Sequence, residues 1–225
     1  MLESLDREIK LHMTPLAKSR KAKATNRGIY KKDGVLFWGV SIRQYSSLRC
    51  CVMVKIKPWH YDELLLSITH PEDTIHFTDK LRWDGFSAMS MYCIEKRFYP
   101  YPEKDKNGNI DQSLLSAWCQ EIYENAMEIL DSFCAKLDSE YGDLDGFHIA
   151  NSDEDLLTAA FAYISRREYQ NAERLLIEAQ ERNLVFNRSY GSYTRDIRDV
   201  LLDYCKAQRL GQKWTSRMVV GKVEE

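Results

Sequence analysis

Two consecutive segments of this chain alternate between apolar and polar residues, and that alternation constrains the fold more than any other feature. Residues 35–44, VLFWGVSIRQ, put Leu36, Trp38, Val40 and Ile42 on one side. Residues 48–57, LRCCVMVKIK, put Leu48, Cys50, Val52, Val54 and Ile56 on one side, and Arg49, Lys55 and Lys57 on the other with Cys51 and Met53. A repeat of two is the side-chain period of a strand. Tyr45-Ser46-Ser47 is too short a connection for anything but an antiparallel pair. Upstream, Gly28 to Lys32 runs into Asp33-Gly34, a dipeptide suited to a tight hairpin. Pro58 has no amide to give to a ladder and ends the run. The expectation is an antiparallel meander with one apolar and one wet face.

Helical spacing brackets this meander. Leu5, Ile9, Leu11 and Leu16 form a partial stripe over residues 2–17, with Pro15 disturbing its end, and Lys18 to Arg27 read as a basic loop. Trp59 to Ile68 reads as a short helix, Thr74 to Thr78 and Phe86 to Phe98 as strands, and Lys104 to Asn109 as a polar turn. Over residues 111–138, Leu115, Trp118, Cys119, Ile122, Ala126, Ile129, Phe133 and Leu137 make the strongest helical stripe of the chain. The fold class expected is α+β. An antiparallel sheet of four or five strands is covered by the helices at 2–17 and 111–138, and a C-terminal three-helix segment follows. A boundary near 142–152 assigns residues 1–145 to the sheet domain and 150–225 to the helical segment.

Composition narrows the class of protein. An apolar fraction of 44% is enough to fill a core. No apolar run reaches the length of a membrane span, and MLESLDREIK lacks the apolar stretch of a signal peptide, so the expectation is a cytoplasmic protein with no membrane partner. Its six cysteines are then reduced thiols. No Cys-x-x-Cys, glycine-rich phosphate loop or His-Glu-x-x-His helix occurs, so neither a metal nor a cofactor is expected. The net charge of −2 conceals an asymmetry: residues 1–59 hold 13 Lys and Arg against 4 Asp and Glu, and the rest holds 19 against 30. A chain polarised in this way has a basic part suited to an acidic partner.

Residues 156–179, LLTAAFAYISRREYQNAERLLIEA, contain two short helical patterns meeting at Arg166-Arg167-Glu168. Ala160, Tyr163, Tyr169, Ala172, Leu176 and Ala179 fall where a packed antiparallel pair needs small or aromatic residues. This stretch resembles a single tetratricopeptide unit, without that family's glycine beside the first aromatic residue and without its terminal proline. The resemblance implies contact with a protein or peptide. Tyr163, Arg166, Arg167 and Tyr169 are the binding residues expected on it. The leading expectation is a non-catalytic protein–protein interaction module, an adaptor or a partner-neutralising, immunity-like protein, of unassigned oligomeric state.

Two alternatives come from other residues. Lys21, Lys23 and Arg27 belong to a basic cluster that Arg43, Arg49, Lys55 and Lys57 extend, and such a cluster binds nucleic-acid phosphates through counterion release. Asp84 ahead of a strand carrying Glu95 and Arg97 loosely resembles the acid, acid and base of restriction-type metal-dependent nucleases; Glu95 and Arg97, two apart, share a strand face. A small-molecule enzyme centred on His60 or His70 is the remaining alternative. Both lie near acids, and His76 joins His70 around Pro71-Glu72-Asp73.

Overall fold

β-branched and aromatic residues fill the segments around the turns at 34–35 and 45–48, and the turns set the register. The computed structural model describes residues 2–26, 28–72, 78, 83, 91–106, 109–184 and 196–220. In chain order the elements are α1 (Leu2–Ser19), β1 (Lys23–Thr25), β2 (Gly28–Asp33), β3 (Leu36–Gln44), β4 (Arg49–Pro58), α2 (Tyr61–Thr69) and β5 (Tyr92–Pro100). They continue as α3 (Gln112–Lys136), a short π-helical stretch (Leu137–Tyr141), α4 (Leu144–Ala150), α5 (Leu156–Ser165), α6 (Tyr169–Glu181), α7 (Ile197–Arg209) and α8 (Ser216–Val220).

The chain packs as two compact units, one of residues 1–59 with 90–136, the other of residues 60–89 with 137–225. In the first, five antiparallel strands lie in the order β1-β2-β3-β4-β5. α1 rests on β1 and β2, α3 rests on β4 and β5, and the two helices touch each other. Ile29, Val40, Val52, Val54 and Ile56 from the sheet are buried, as are Ile9 and Met13 of α1 and Leu115, Cys119 and Ile122 of α3. The fold is α+β, with both expected helices on one sheet face.

Several details depart from the sequence expectation. α1 runs through Pro15 to Ser19, because Met13 and Ala17 on either side of the proline are buried. That tertiary packing outweighs the one backbone hydrogen bond a proline removes. Lys23-Ala24-Thr25, expected as loop, is an edge strand too short to show alternation. Asp33 pairs with Leu36, so the two-residue loop is Gly34-Val35 rather than Asp33-Gly34, and Gly34 takes φ +58° at its first position. The second sheet face is not wet at its centre: Phe37, Ser41, Cys51 and Lys57 are buried there. Gly28, at φ +134°, approaches the neighbouring strand so closely that an added Cβ would sit 1.8 Å from the Val40 carbonyl oxygen. Residues 74–77 and 86–90, expected as strand, lie outside the described residues.

The second unit is a stack in which α4 packs on α5, α5 on α6 and α6 on α7, while α2 touches α5, α7 and α8. Alanines at the contacts let the helices approach closely; Ala159, Ala160, Ala162, Ala172 and Ala179 are all fully buried. Aspartates begin three of these helices. Asp143, Asp155 and Asp196 accept the Gly146, Thr158 and Arg198 amides, satisfying donors that a helix start leaves open. Left-handed residues end others. Arg167 and Asn183 have φ of 61° and 52°, and Lys21 closes α1 in the first unit at 56°. In each case the next amide reaches back across the last turn, as in Glu168 N–H to Tyr163 O at 2.8 Å. Trp214 pins the C-terminal segment by donating its indole N–H to the Ile68 carbonyl at 2.7 Å. All six cysteines are free.

Candidate functional site

Directly opposed residues of an antiparallel pair project from the same face, so the register sorts every strand side chain onto one of two sides. On the face covered by α1 and α3, the strand acids are Asp33 and Glu95 and the strand cations are Lys31 and Arg97. They neutralise one another two residues apart: Lys31 Nζ lies 2.7 Å from Asp33, and Arg97 Nε lies 2.5 Å from Glu95. The opposite face is different. Phe37 opposes Lys57 and Lys32, Gly39 opposes Lys55, and Arg43 opposes Cys51. Arg49 opposes Pro100, Met53 opposes Lys96, and Lys23 opposes Tyr30. Lys23, Lys32, Arg43, Arg49, Lys55, Lys57 and Lys96 therefore share one face, and among the described strand residues no Asp or Glu joins them.

The register of β5 depends on a bulge. Val54 pairs with Glu95 but Lys55 pairs with Cys93, which leaves Ile94 unmatched. That extra residue moves Lys96 and Phe98 onto the face of Cys93, and sends Glu95 and Arg97 to the helix side.

Aromatic rings lie among these cations. Tyr30, Phe37 and Trp59 cluster with centroids 5.7 and 5.8 Å apart, and Lys32 Nζ stands 3.8 Å over the Trp59 ring. At the other end of the face Tyr45 meets Phe98 edge-on at 4.8 Å, and Lys96 Nζ is 5.2 Å from the Phe98 centroid. The centre is dry and this end is open: Phe37 is 0% exposed, Phe98 45% and Tyr45 66%. Arg43, Arg49 and Lys96 are exposed there too. Burial, reinforced by the like charge of Arg43, holds the Lys55 ammonium below its ordinary range. Arg43 and Lys55 are thus close enough to disfavour each other's charge.

The residues expected to bind on the helical hairpin have other work. Tyr163 is half-buried against the helical core. Arg166 bonds Asp143, the residue capping α4, at 2.5 Å. Tyr169 meets Tyr204 edge-on, 6.1 Å between centroids. Arg167, exposed at the left-handed turn, is the one of the four without such a packing role. α5 is buried along most of its length, so the outer surface of the hairpin is that of α6, where Gln170, Arg174, Ile177, Glu178 and Glu181 line a shallow depression.

Of the other candidates, Lys21 is exposed in the turn after α1, and Arg27 lies outside the described residues. Asp84 and His76 lie outside them as well. Glu95 and Arg97 are together, but bonded to each other beside Val52, Tyr99, Ala126 and Ile129 of the helix-covered face. His60 shares a 2.7 Å hydrogen bond with Ser165, and His70 one of 2.9 Å with Thr69. Among the described residues no group of three or more His, Cys, Asp or Glu is arranged to hold a metal ion, and no helix is long and apolar enough to cross a membrane. Sequence reading missed Lys96, Phe98 and Tyr45. Lys96 and Phe98 were visible only as members of a strand, because their face depends on the bulge at Ile94.

No protein-family model, no curated protein and no solved structure matches this chain.

Proposed function

We propose that this protein is a non-catalytic binding protein whose sheet unit holds a nucleic acid at the exposed cations of the face opposite its two helices. One observation carries the reading: the register gathers Lys32, Arg43, Arg49, Lys55 and Lys96 on that face with no strand carboxylate among them, while on the helix-covered face Lys31 lies beside Asp33 and Arg97 beside Glu95. A face that only needed solubility would be served by mixed charges. Like charges crowded together store repulsion that a polyanion relieves, and the counterions released on binding supply affinity.

The test is fluorescence anisotropy of a labelled oligothymidylate at several salt concentrations. For three to five phosphate contacts on a single strand, the logarithm of the affinity should fall with the logarithm of salt at a slope of about −2 to −3.5. The double variant Arg43→Glu, Lys96→Glu should abolish binding. No association at low salt with the oligonucleotide or with heparin removes the reading.

A second reading places a protein partner on α6. Ile177 is 42% exposed among the charged residues that line the depression described above. Under it, Ile177→Glu abolishes capture of the partner while the unfolding midpoint stays put, and capture unaffected by that change dismisses it.

A further inference from the structure

We propose that the open end of the basic face is a base-stacking site, and that the polymer it takes is single-stranded. This rests on the polyanion reading above and adds which polymer is preferred and which residues decide it. The observation is the pair Tyr45 and Phe98. Tyr45 lies in the loop that follows β3 and Phe98 on β5, and their rings meet at 4.8 Å across β4, whose buried Cys51 pairs with both Arg43 and Phe98. The rings touch edge to face, at 65°, rather than in a parallel stack, and Lys96 Nζ stands over the Phe98 ring, 5.2 Å from its centroid. Exposures of 66% and 45% are high for aromatic rings that have a packed sheet available to cover them.

The backbone around Tyr45 is also tied down. The amides of Tyr45 and Ser46 both donate to the Arg49 carbonyl at 3.0 Å, and the Tyr101 amide donates to the Leu48 carbonyl at 3.0 Å. These bonds fix the loop on both sides, so a stacked base meets a preformed platform and little ordering is needed. Arg43 and Arg49 flank the loop, and Lys96 stands beside Phe98. Cations within reach of an aromatic platform match a strand whose phosphates and bases alternate. A duplex hides its base faces inside the stack and offers such a platform nothing, whereas a single strand presents them.

The experiment compares three labelled probes at one low salt concentration: oligothymidylate, the same sequence in a duplex with oligoadenylate, and heparin. Variants Tyr45→Ala, Phe98→Ala and the conservative Tyr45→Phe are measured with each, their folding checked by circular dichroism. The proposal expects the single strand to bind more tightly than the duplex. It expects each alanine variant to lose about tenfold to a hundredfold in affinity for the single strand, with the salt slope unchanged, and Tyr45→Phe to retain binding. If duplex and heparin bind as tightly as the single strand and the alanine variants change nothing, stacking is wrong and the polyanion reading stands. If none of the three probes binds, both are wrong.

Discussion

The two units of this protein handle charge in opposite ways. In the helical unit, cations sit beside acids. Arg166 meets Asp143, Arg209 meets Glu173, Arg182 meets Glu178, and Arg198 lies between Asp196 and Asp199. Arg198 also donates to the Leu184 carbonyl past the end of α6, and to the Ala179 carbonyl in its last turn. These groups close helices and fix neighbours. In the sheet unit, the helix-covered face follows the same rule, while the opposite face carries its Lys and Arg with no strand carboxylate among them. An excess of Lys and Arg in a stretch of sequence is therefore weak evidence for a site. An excess confined to one side of a sheet, while the other side is paired off, is stronger, because the sorting concerns geometry rather than composition.

Breaking the helical unit should show whether it is scaffold or site. Phe161 is fully buried in α5 and its ring lies 5.6 Å from that of Tyr61. Phe161→Ala should lower stability by about 3 to 5 kcal/mol, through lost burial and the cavity left behind. Amide hydrogen exchange in α5 and α6 reads this locally, while oligonucleotide affinity measured where the chain is still folded should not move. A parallel loss of affinity would show that the two units do not act separately.

A smaller effect tests the same unit through pH. Burial, opposed in part by Asp155, pushes His148 down to about 4. An unfolded chain protonates this histidine near pH 6.5, while the folded one resists until about pH 4. Between those values the unfolded state binds the extra proton, so the stability held above pH 6.5 declines as the pH falls, by up to about 3 kcal/mol. His148→Gln should remove that part of the acid sensitivity. Equal steepness in the parent and the variant, followed by exchange in α5 and α6 from pH 7 to pH 4.5, would show that His148 plays no part.

Period-two alternation exposed the sheet, and a long stripe exposed α3, because each pattern repeats often enough to outweigh local accidents. The hairpin at 156–179 was legible from its alanines. Its turn was not marked in the usual way, since Arg167 takes the left-handed position that glycine commonly fills. β1 has three residues and cannot display a period. α2 showed Leu64 and Leu65 but not its destination. Nine residues carry a stripe that suits any apolar neighbour, and the buried Tyr61, Leu65 and Ile68 join the helical unit. The basic face was half legible: Arg49, Lys55 and Lys57 alternate visibly. Its extension to Lys96 and Phe98, and its freedom from carboxylates, depend on how β5 is phased against β4. One unmatched residue, Ile94, decides that phase, and no single-strand pattern announces it.

The finest distinction between the two kinds of cation lies within the basic N-terminal run itself. Arg20 belongs to that run, yet it reaches α3 and holds Asp131 with two hydrogen bonds of 2.8 and 2.6 Å. That contact raises the arginine further and lowers the aspartate, as expected of a two-pronged pair. Both side chains remain substantially exposed, so solvent screens the attraction, and Arg20→Ala should reduce stability by less than about 1 kcal/mol. Because Arg20 is engaged on the helix side, its removal should leave oligonucleotide affinity and its salt slope unchanged. Arg43→Gln should instead weaken affinity and flatten the slope by about 0.7, the share of one phosphate contact on a single strand. If the two variants alter the slope equally, position in the sequence matters and the sheet face does not, and the contrast between paired and unopposed cations loses its physical basis.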